Sequence, residues 1–230
     1  MESITVTRKR AVKVYHHFDP INPREWDNLG TMVCWHRGYD LGDEQPRCTP
    51  VEYLINLLYE ADRRAHYVLD EAHNRGRDIT DLLQAQVEKH FVVLPLYLYD
   101  HSGITMRTSA FSCPWDSGQV GFLFCSLDRA RTETGYGHLE DDAFRAKVAD
   151  MLEGEVDEYD AYLRGDCYGF TVVDELVDED GEVVKSEVVD SCWGFLHTDA
   201  YPAIEGMREH VDESLHALLV EAFDNPEYLY

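Results

Sequence analysis

Tyr168-Gly-Phe-Thr-Val-Val-Asp-Glu-Leu-Val-Asp-Glu-Asp180-Gly181-Glu-Val-Val-Lys-Ser-Glu-Val-Val-Asp-Ser-Cys-Trp-Gly-Phe195 reads as two long runs around an Asp-Gly dipeptide. Valine and threonine fit extended backbone, and Asp-Gly suits a two-residue type I′ turn. Tyr168–Leu176 and Glu182–Phe195 are therefore expected as the arms of a hairpin. The segment before it has the other period. In Asp141–Leu163, Phe144, Val148, Met151, Leu152, Val156 and Tyr159 recur at three- and four-residue steps until Gly165, which predicts a helix with one buried stripe. Burying each of the larger side chains contributes about 1.5–3 kcal/mol, so that stripe should face a core.

Working outward, the same pairing of hairpins with helices recurs. Phe91–Tyr99 and Ile104–Thr108 read as a hairpin across Asp100–Gly103, with Gln119–Ser126 as a further strand. Thr49-Pro50-Val51-Glu52 carries a capping threonine, an early proline and a glutamate three residues on, the marks of a helix start. That helix is expected to run from Pro50 to Ala72, with a second over Thr80–His90 and a last one over Glu205–Phe223. Ile4–Thr7 and Ala11–Tyr15 read as two short strands joined by a basic turn, and Thr31–His36 as another strand. This order predicts an α+β fold: a single domain over residues 1–230, with an antiparallel or mixed sheet covered by helices. A small strand-and-loop subregion is expected at residues 1–48. The central sheet is expected to combine Phe91–Tyr99, Gln119–Ser126 and the hairpin Tyr168–Phe195.

Composition narrows the function. A chain of 230 residues that is 44% hydrophobic and 12% aromatic can bury a sizeable core, which excludes disorder throughout. No apolar run approaches the ~20 residues of a membrane helix, and the first ten residues hold no apolar signal segment. A cytoplasmic protein with no membrane partner is expected. Cys34, Cys48, Cys113, Cys125, Cys167 and Cys192 never form a Cys-x-x-Cys pair and are expected as reduced thiols. The formal charge of −25 argues against direct contact with nucleic acid. It leaves two explanations: a solvated acidic surface of the salt-adapted kind, or a surface that imitates nucleic acid and fills a protein's DNA-binding groove.

Neither Walker A nor Gly-x-Gly-x-x-Gly occurs, so no nucleotide cofactor is expected; no other cofactor and no metal are expected either. Cys34 and His36 could share one strand face, but His16, His17 and Cys48 do not complete a zinc set at useful spacing. Asp178-Glu-Asp180-Gly181 lacks the ligand spacing of an EF-hand. The enzyme alternative is a cysteine-dependent hydrolase or transferase. Cys113 would be its nucleophile and His101 its base, with Asp116 or Asp100 orienting the imidazole. The expected hairpin sets His101 and Cys113 at opposite ends of Ile104–Thr108, ~17 Å apart unless the loop folds back. Ser191-Cys192-Trp193-Gly194 resembles the papain-type nucleophile segment only faintly, and it closes a strand where that segment begins a helix. The structural reading of the two turns, Asp100–Gly103 and Cys113–Gly118, has Asp116 and Ser117 bonding local backbone. In it Gly118 takes positive φ, and Trp115 and Trp193 serve as buried anchors.

Glu140, Asp141, Asp142, Asp150, Glu153, Glu155, Asp157, Glu158 and Asp160 ride on or beside the long helix. At ~1.5 Å rise per residue they supply roughly one carboxylate per 3–4 Å of axis, near the ~3.4 Å phosphate spacing of a DNA strand. They point around more than one face. A second acidic group, Asp174, Glu175, Asp178, Glu179, Asp180 and Glu182, lies on the hairpin.

Three strings add a context: Glu25-Trp26-Asp27-Asn28-Leu29-Gly30-Thr31-Met32-Val33-Cys34; Asp100-His101-Ser102-Gly103 with Cys113-Pro114-Trp115-Asp116-Ser117-Gly118-Gln119-Val120-Gly121; and Asp190-Ser191-Cys192-Trp193-Gly194-Phe195. Together they resemble a group of proteins carried by bacteriophages and other mobile elements, to which no fold or reaction is attached. The resemblance implies a small accessory protein acting in the host cytoplasm on defence or regulation. With the acidity, it leads to the expectation of a non-enzymatic inhibitor that binds a basic host protein, one that itself binds nucleic acid. The oligomeric state is left open.

Overall fold

The computed structural model describes residues 5–228, and its class is α+β. In chain order the elements are β1 (Thr7–His16), β2 (Thr31–Cys34), α1 (Pro50–Ala61), α2 (Arg63–Asn74), α3 (Thr80–His90), β3 (Phe91–Asp100), β4 (Ile104–Arg107) and β5 (Ser117–Ser126). They continue with α4 (Leu127–Glu133), α5 (Asp141–Arg164), β6 (Cys167–Val177), β7 (Val183–Leu196), α6 (Ala203–Arg208), α7 (His216–Phe223) and β8 (Glu227–Tyr228). The chain divides into two compact units, one of Arg24–Val156 and one of Met1–Pro23 with Asp157–Tyr230.

Each unit owns a sheet, and this corrects the expectation of one central sheet. β3 and β5 lie in a sheet of order β2-β5-β3-β4, whereas the β6–β7 hairpin lies in one of order β7-β6-β1-β8. The reason is the partner that β6 takes. β1 pairs with it antiparallel over ten residues, from Thr7 opposite Val177 to His16 opposite Tyr168. β1 is a single strand running straight through Arg8, Lys9 and Arg10, in place of the expected turn; Ile4 lies outside the described residues. The basic side chains have partners on β6: Arg8 and Arg10 bind Asp174, and Lys13 binds Glu175.

In the unit Arg24–Val156, α1 begins as its sequence predicts, with Thr49 and Glu52 forming a reciprocal capping box. The helix does not reach Ala72. Asp62 leaves helical backbone at φ −150°, ψ 88°, and its carboxylate accepts from Arg64 N and Ala65 N, which starts α2. Helices α1–α3 bury Ile55, Leu58, Leu69, Leu83 and Val87 with Val33, Phe91, Phe122 and Phe124 of the sheet. Side chains alternate along a strand, so Met32 and Leu123 fall on the opposite face. There α5 supplies Leu152. A β-carbon on Gly30 would stand 2.6 Å from both Leu123 and Leu152, so a glycine lets strand and helix close together. Gly121 likewise permits a close approach, since its β-carbon would meet the Val33 carbonyl at 2.0 Å.

In the other unit, the segment from α6 to α7 packs Ala203, Met207, Val211 and Leu219 on Val12, Val14, Phe170 and Val172. The β6–β7 connection is longer than the expected two-residue turn. Asp178 N donates to Glu182 O, Gly181 N donates to Asp178 O, and Gly181 sits at φ +87°. The Asp178 carboxylate holds this loop by accepting from the backbone of Asp180 and Glu182.

Candidate functional site

The turn cluster forms because a loop folds back. Arg107 donates to the carbonyls of Ser109 and Ala110 and lies 3.9 Å above the Phe111 ring. Phe111 stacks on Tyr99 at 5.5 Å between centroids, and Tyr99 stacks on His101 at 6.1 Å. That column draws residues 108–116 toward the β3 end of the sheet, where Asp100 N donates to Asp116 O at 2.8 Å. The separation of ~17 Å expected from an extended chain therefore does not arise.

One oxygen of Asp116 is the meeting point. It lies 3.4 Å from His101 Nδ1 and accepts from Cys113 Sγ at 3.6 Å. The carboxylate thus stands between the imidazole and the sulfur, whereas a nucleophilic cysteine needs the imidazole beside the sulfur. A thiolate at this place would face a negative charge. His101 is exposed, and Asp116 and Cys113 are partly so. Asp100, the other candidate orienting group, instead accepts from the Tyr39 hydroxyl at 3.0 Å, and that bond raises the Tyr39 pKa.

The structural expectations for these turns need correction too. Trp115 is 92% exposed at the loop tip and anchors nothing. Trp193 belongs to the other unit, where it lies over Gly169 and stacks on Tyr15 at 5.9 Å. Positive φ falls on Ser102 and Gly103, while Gly118 is ordinary strand within β5. Ser117 does bond local backbone, donating to the Cys113 carbonyl.

Of the remaining thiols, three are buried. Burial pushes the thiol of Cys34 up to about 12, and those of Cys125 and Cys167 to about 11. His36 Nδ1 accepts from Gly38 N and Tyr39 N, folding the loop after β2. Cys192 lies half-buried in β7. Among the described residues, no three or more His, Cys, Asp or Glu side chains are placed to hold a metal ion, and no helix is long and apolar enough to cross a membrane.

The acidic candidates separate by face. Phe144, Val148, Leu152, Val156 and Tyr159 of α5 are at most 2% exposed. Glu155 points the same way, so it is not a surface carboxylate. Its oxygens accept from Leu29 N at 2.6 Å and Gly30 N at 3.1 Å, and pair with Arg24 at 2.9 Å. The Arg24 side chain is 3% exposed; it also makes a two-point contact with Asp43 and donates to Gly30 O. Asp43 in turn accepts from Met32 N. This internal network is invisible in the acid pattern, because its members lie 19 and 131 residues apart.

Asp141 pairs with Arg131, and Asp160 is largely covered and pairs with Arg164. Glu158 is partly buried, and Glu140, Asp142, Asp150, Glu153 and Asp157 are exposed. The hairpin acids do not form one surface either, since Asp174 and Glu175 are buried beside Arg10 and Lys13. No protein-family model, curated protein or solved structure matches the chain.

Proposed function

We propose that the chain is a non-enzymatic binder of a basic protein, engaged through the outer face of α5. One observation supports this most. At ~100° per residue, the arc opposite the buried stripe from Asp142 to Asp157 holds Asp142, Ala143, Ala146, Ala149, Asp150, Glu153, Gly154 and Asp157. Every member is acidic or as small as alanine. No bulky side chain lies within the arc, and Lys147 borders it with its ammonium 4.0 Å from Asp150. Asp150, Glu153 and Asp157 follow one another at roughly 4.5 and 6 Å along the axis, wider than the ~3.4 Å per phosphate of a DNA strand, so the face resembles a phosphate row in its charge and not in its spacing. In the mobile-element setting implied by the sequence resemblance, the partner is a host nucleic-acid-binding protein and the effect is inhibition by competition.

The test is capture from bacterial lysate on the immobilised protein, followed by elution with duplex DNA or with salt. The expected result is a basic protein displaced by both, because exposed charges are screened over ~8 Å at physiological ionic strength. A variant carrying Asp142→Asn, Asp150→Asn, Glu153→Gln and Asp157→Asn should lose the capture. Capture that survives these changes, or that DNA does not displace, refutes the reading.

A second reading, a cysteine-dependent hydrolase or transferase, rests on the gathering of Cys113 and His101 around Asp116, although the carboxylate stands between them. It requires His101 to reach the sulfur by displacing the Asp116 oxygen. Its signature is selective alkylation of Cys113, faster than Cys48 or Cys192 and slowed by His101→Ala.

A further inference from the structure

We propose that β7 pairs edge to edge with β7 of a second copy of the chain, in an antiparallel contact whose two-fold axis passes through Ser186. The sheet order β7-β6-β1-β8 leaves the outer side of β7 at an edge. Such an edge offers a row of backbone donors and acceptors to another strand. Residues 183–191 are all exposed, and Val183, Val184, Val188 and Val189 keep 49–61% of their surface in water.

The sequence of this edge names its partner. Val183-Val184-Lys185-Ser186-Glu187-Val188-Val189 reads the same from both ends, except that a lysine at one position answers a glutamate at the other. Antiparallel self-pairing about Ser186 sets Lys185 of each copy opposite Glu187 of the other. The same register sets Val184 opposite Val188 and Val183 opposite Val189. Two opposite-charge pairs and four valine pairs result, with no like charges opposed within the seven residues.

The pairing with β6 supports this arrangement. Lys185 and Glu187 stand opposite Leu176 and Asp174, while Val183, Ser186 and Val188 stand opposite Val177, Glu175 and Val173. Val183, Ser186 and Val188 therefore share one face of the sheet, and Lys185 and Glu187 the other. Val184 and Val189 have no opposite residue on β6 and form bulges that bracket the regular run Lys185–Val188. Bulges bend a strand, so the self-pair is flat over Lys185–Glu187 and its valines meet where the two strands bend, and the two-fold axis closes the contact as a dimer.

A strand pair of about seven residues is a small interface, so the dimer should be micromolar or weaker. Sedimentation equilibrium up to about 100 μM, at physiological salt, is expected to give a reversible monomer–dimer system. Lys185→Glu alone sets like charges opposite each other twice, and should weaken the dimer about tenfold, as should Glu187→Lys alone. The double exchange Lys185→Glu/Glu187→Lys restores complementarity and should recover the affinity. Recovery separates edge pairing from a general effect of either change on folding. In a Ser186→Cys variant under mild oxidation, mass spectrometry should find position 186 linked to position 186. A monomer throughout the range, open-ended assembly, single exchanges without effect, or no recovery in the double exchange would each overturn the proposal.

Discussion

At Asp174 a residue that belongs to an acidic run becomes an internal counter-ion. Hydrogen bonds from Arg10 and Arg8 hold its carboxyl at about 2, below the ordinary 3.8. A depressed carboxyl stabilises the fold above its unfolded value, and that contribution disappears as pH falls from about 4 toward about 2. Asp174→Asn should therefore lower the melting temperature at pH 7 and flatten the acid limb between those pH values. Thermal melts at stepped pH check this; an unchanged acid limb would show the pairing to be idle. The thiols give a second prediction at this scale. Near neutral pH, alkylation should reach Cys48, Cys113 and Cys192, which are partly exposed, and leave Cys34, Cys125 and Cys167 until the chain is unfolded. Peptide mapping with and without denaturant reads the difference. His101, Cys113 and Asp116 were legible as a residue set, but their order in space was not. The stacking of Phe111 on Tyr99 decides that order, and ring contacts between strand and loop leave no periodic trace in a sequence.

α5 shows how one element serves both the core and the surface. Its apolar stripe was legible because helical period and burial coincide at Phe144, Val148, Leu152 and Val156. The fate of Glu155 was not, since a carboxylate on the inward face becomes structural only when Arg24 and two backbone N–H groups arrive from residues 24–30. Neighbouring glutamates should therefore differ sharply. Glu153→Ala should change stability by no more than about 0.5 kcal/mol. Glu155→Ala removes one of the two carboxylates beside the buried Arg24, leaving Asp43, and takes the acceptor from Leu29 N and Gly30 N, so it should cost about 1–3 kcal/mol or more, read by urea denaturation. Equal effects would refute the division of faces. In β5, Gly121→Ala should cost about 1–3 kcal/mol or more, because the added carbon collides with the Val33 carbonyl of β2. Full stability of that variant would mean that β2 can retreat at little cost.

For the whole molecule, 45 acidic and 20 basic residues set the physical behaviour. Self-repulsion of so many carboxylates weakens as salt is added, so the melting temperature should rise between low and physiological ionic strength. A fall would indicate that the internal ion pairs outweigh the net charge. The sequence by itself determined the α+β class, the β6–β7 hairpin, the starts of α1 and α5, and the buried stripe of α5. These follow from local rules, a side-chain period of two or 3.6 and the chemistry of caps and turns, which act between residues a few positions apart. Only the tertiary structure decided that the strands divide between two sheets, that β1 rather than β3 or β5 lies beside β6, and which carboxylates face water. Those outcomes depend on pairings such as Arg10 with Asp174 and Arg24 with Glu155, separated by 164 and 131 residues. A contact over that distance is chosen by the free energy of the assembled core, to which the local pattern of either segment contributes only a part.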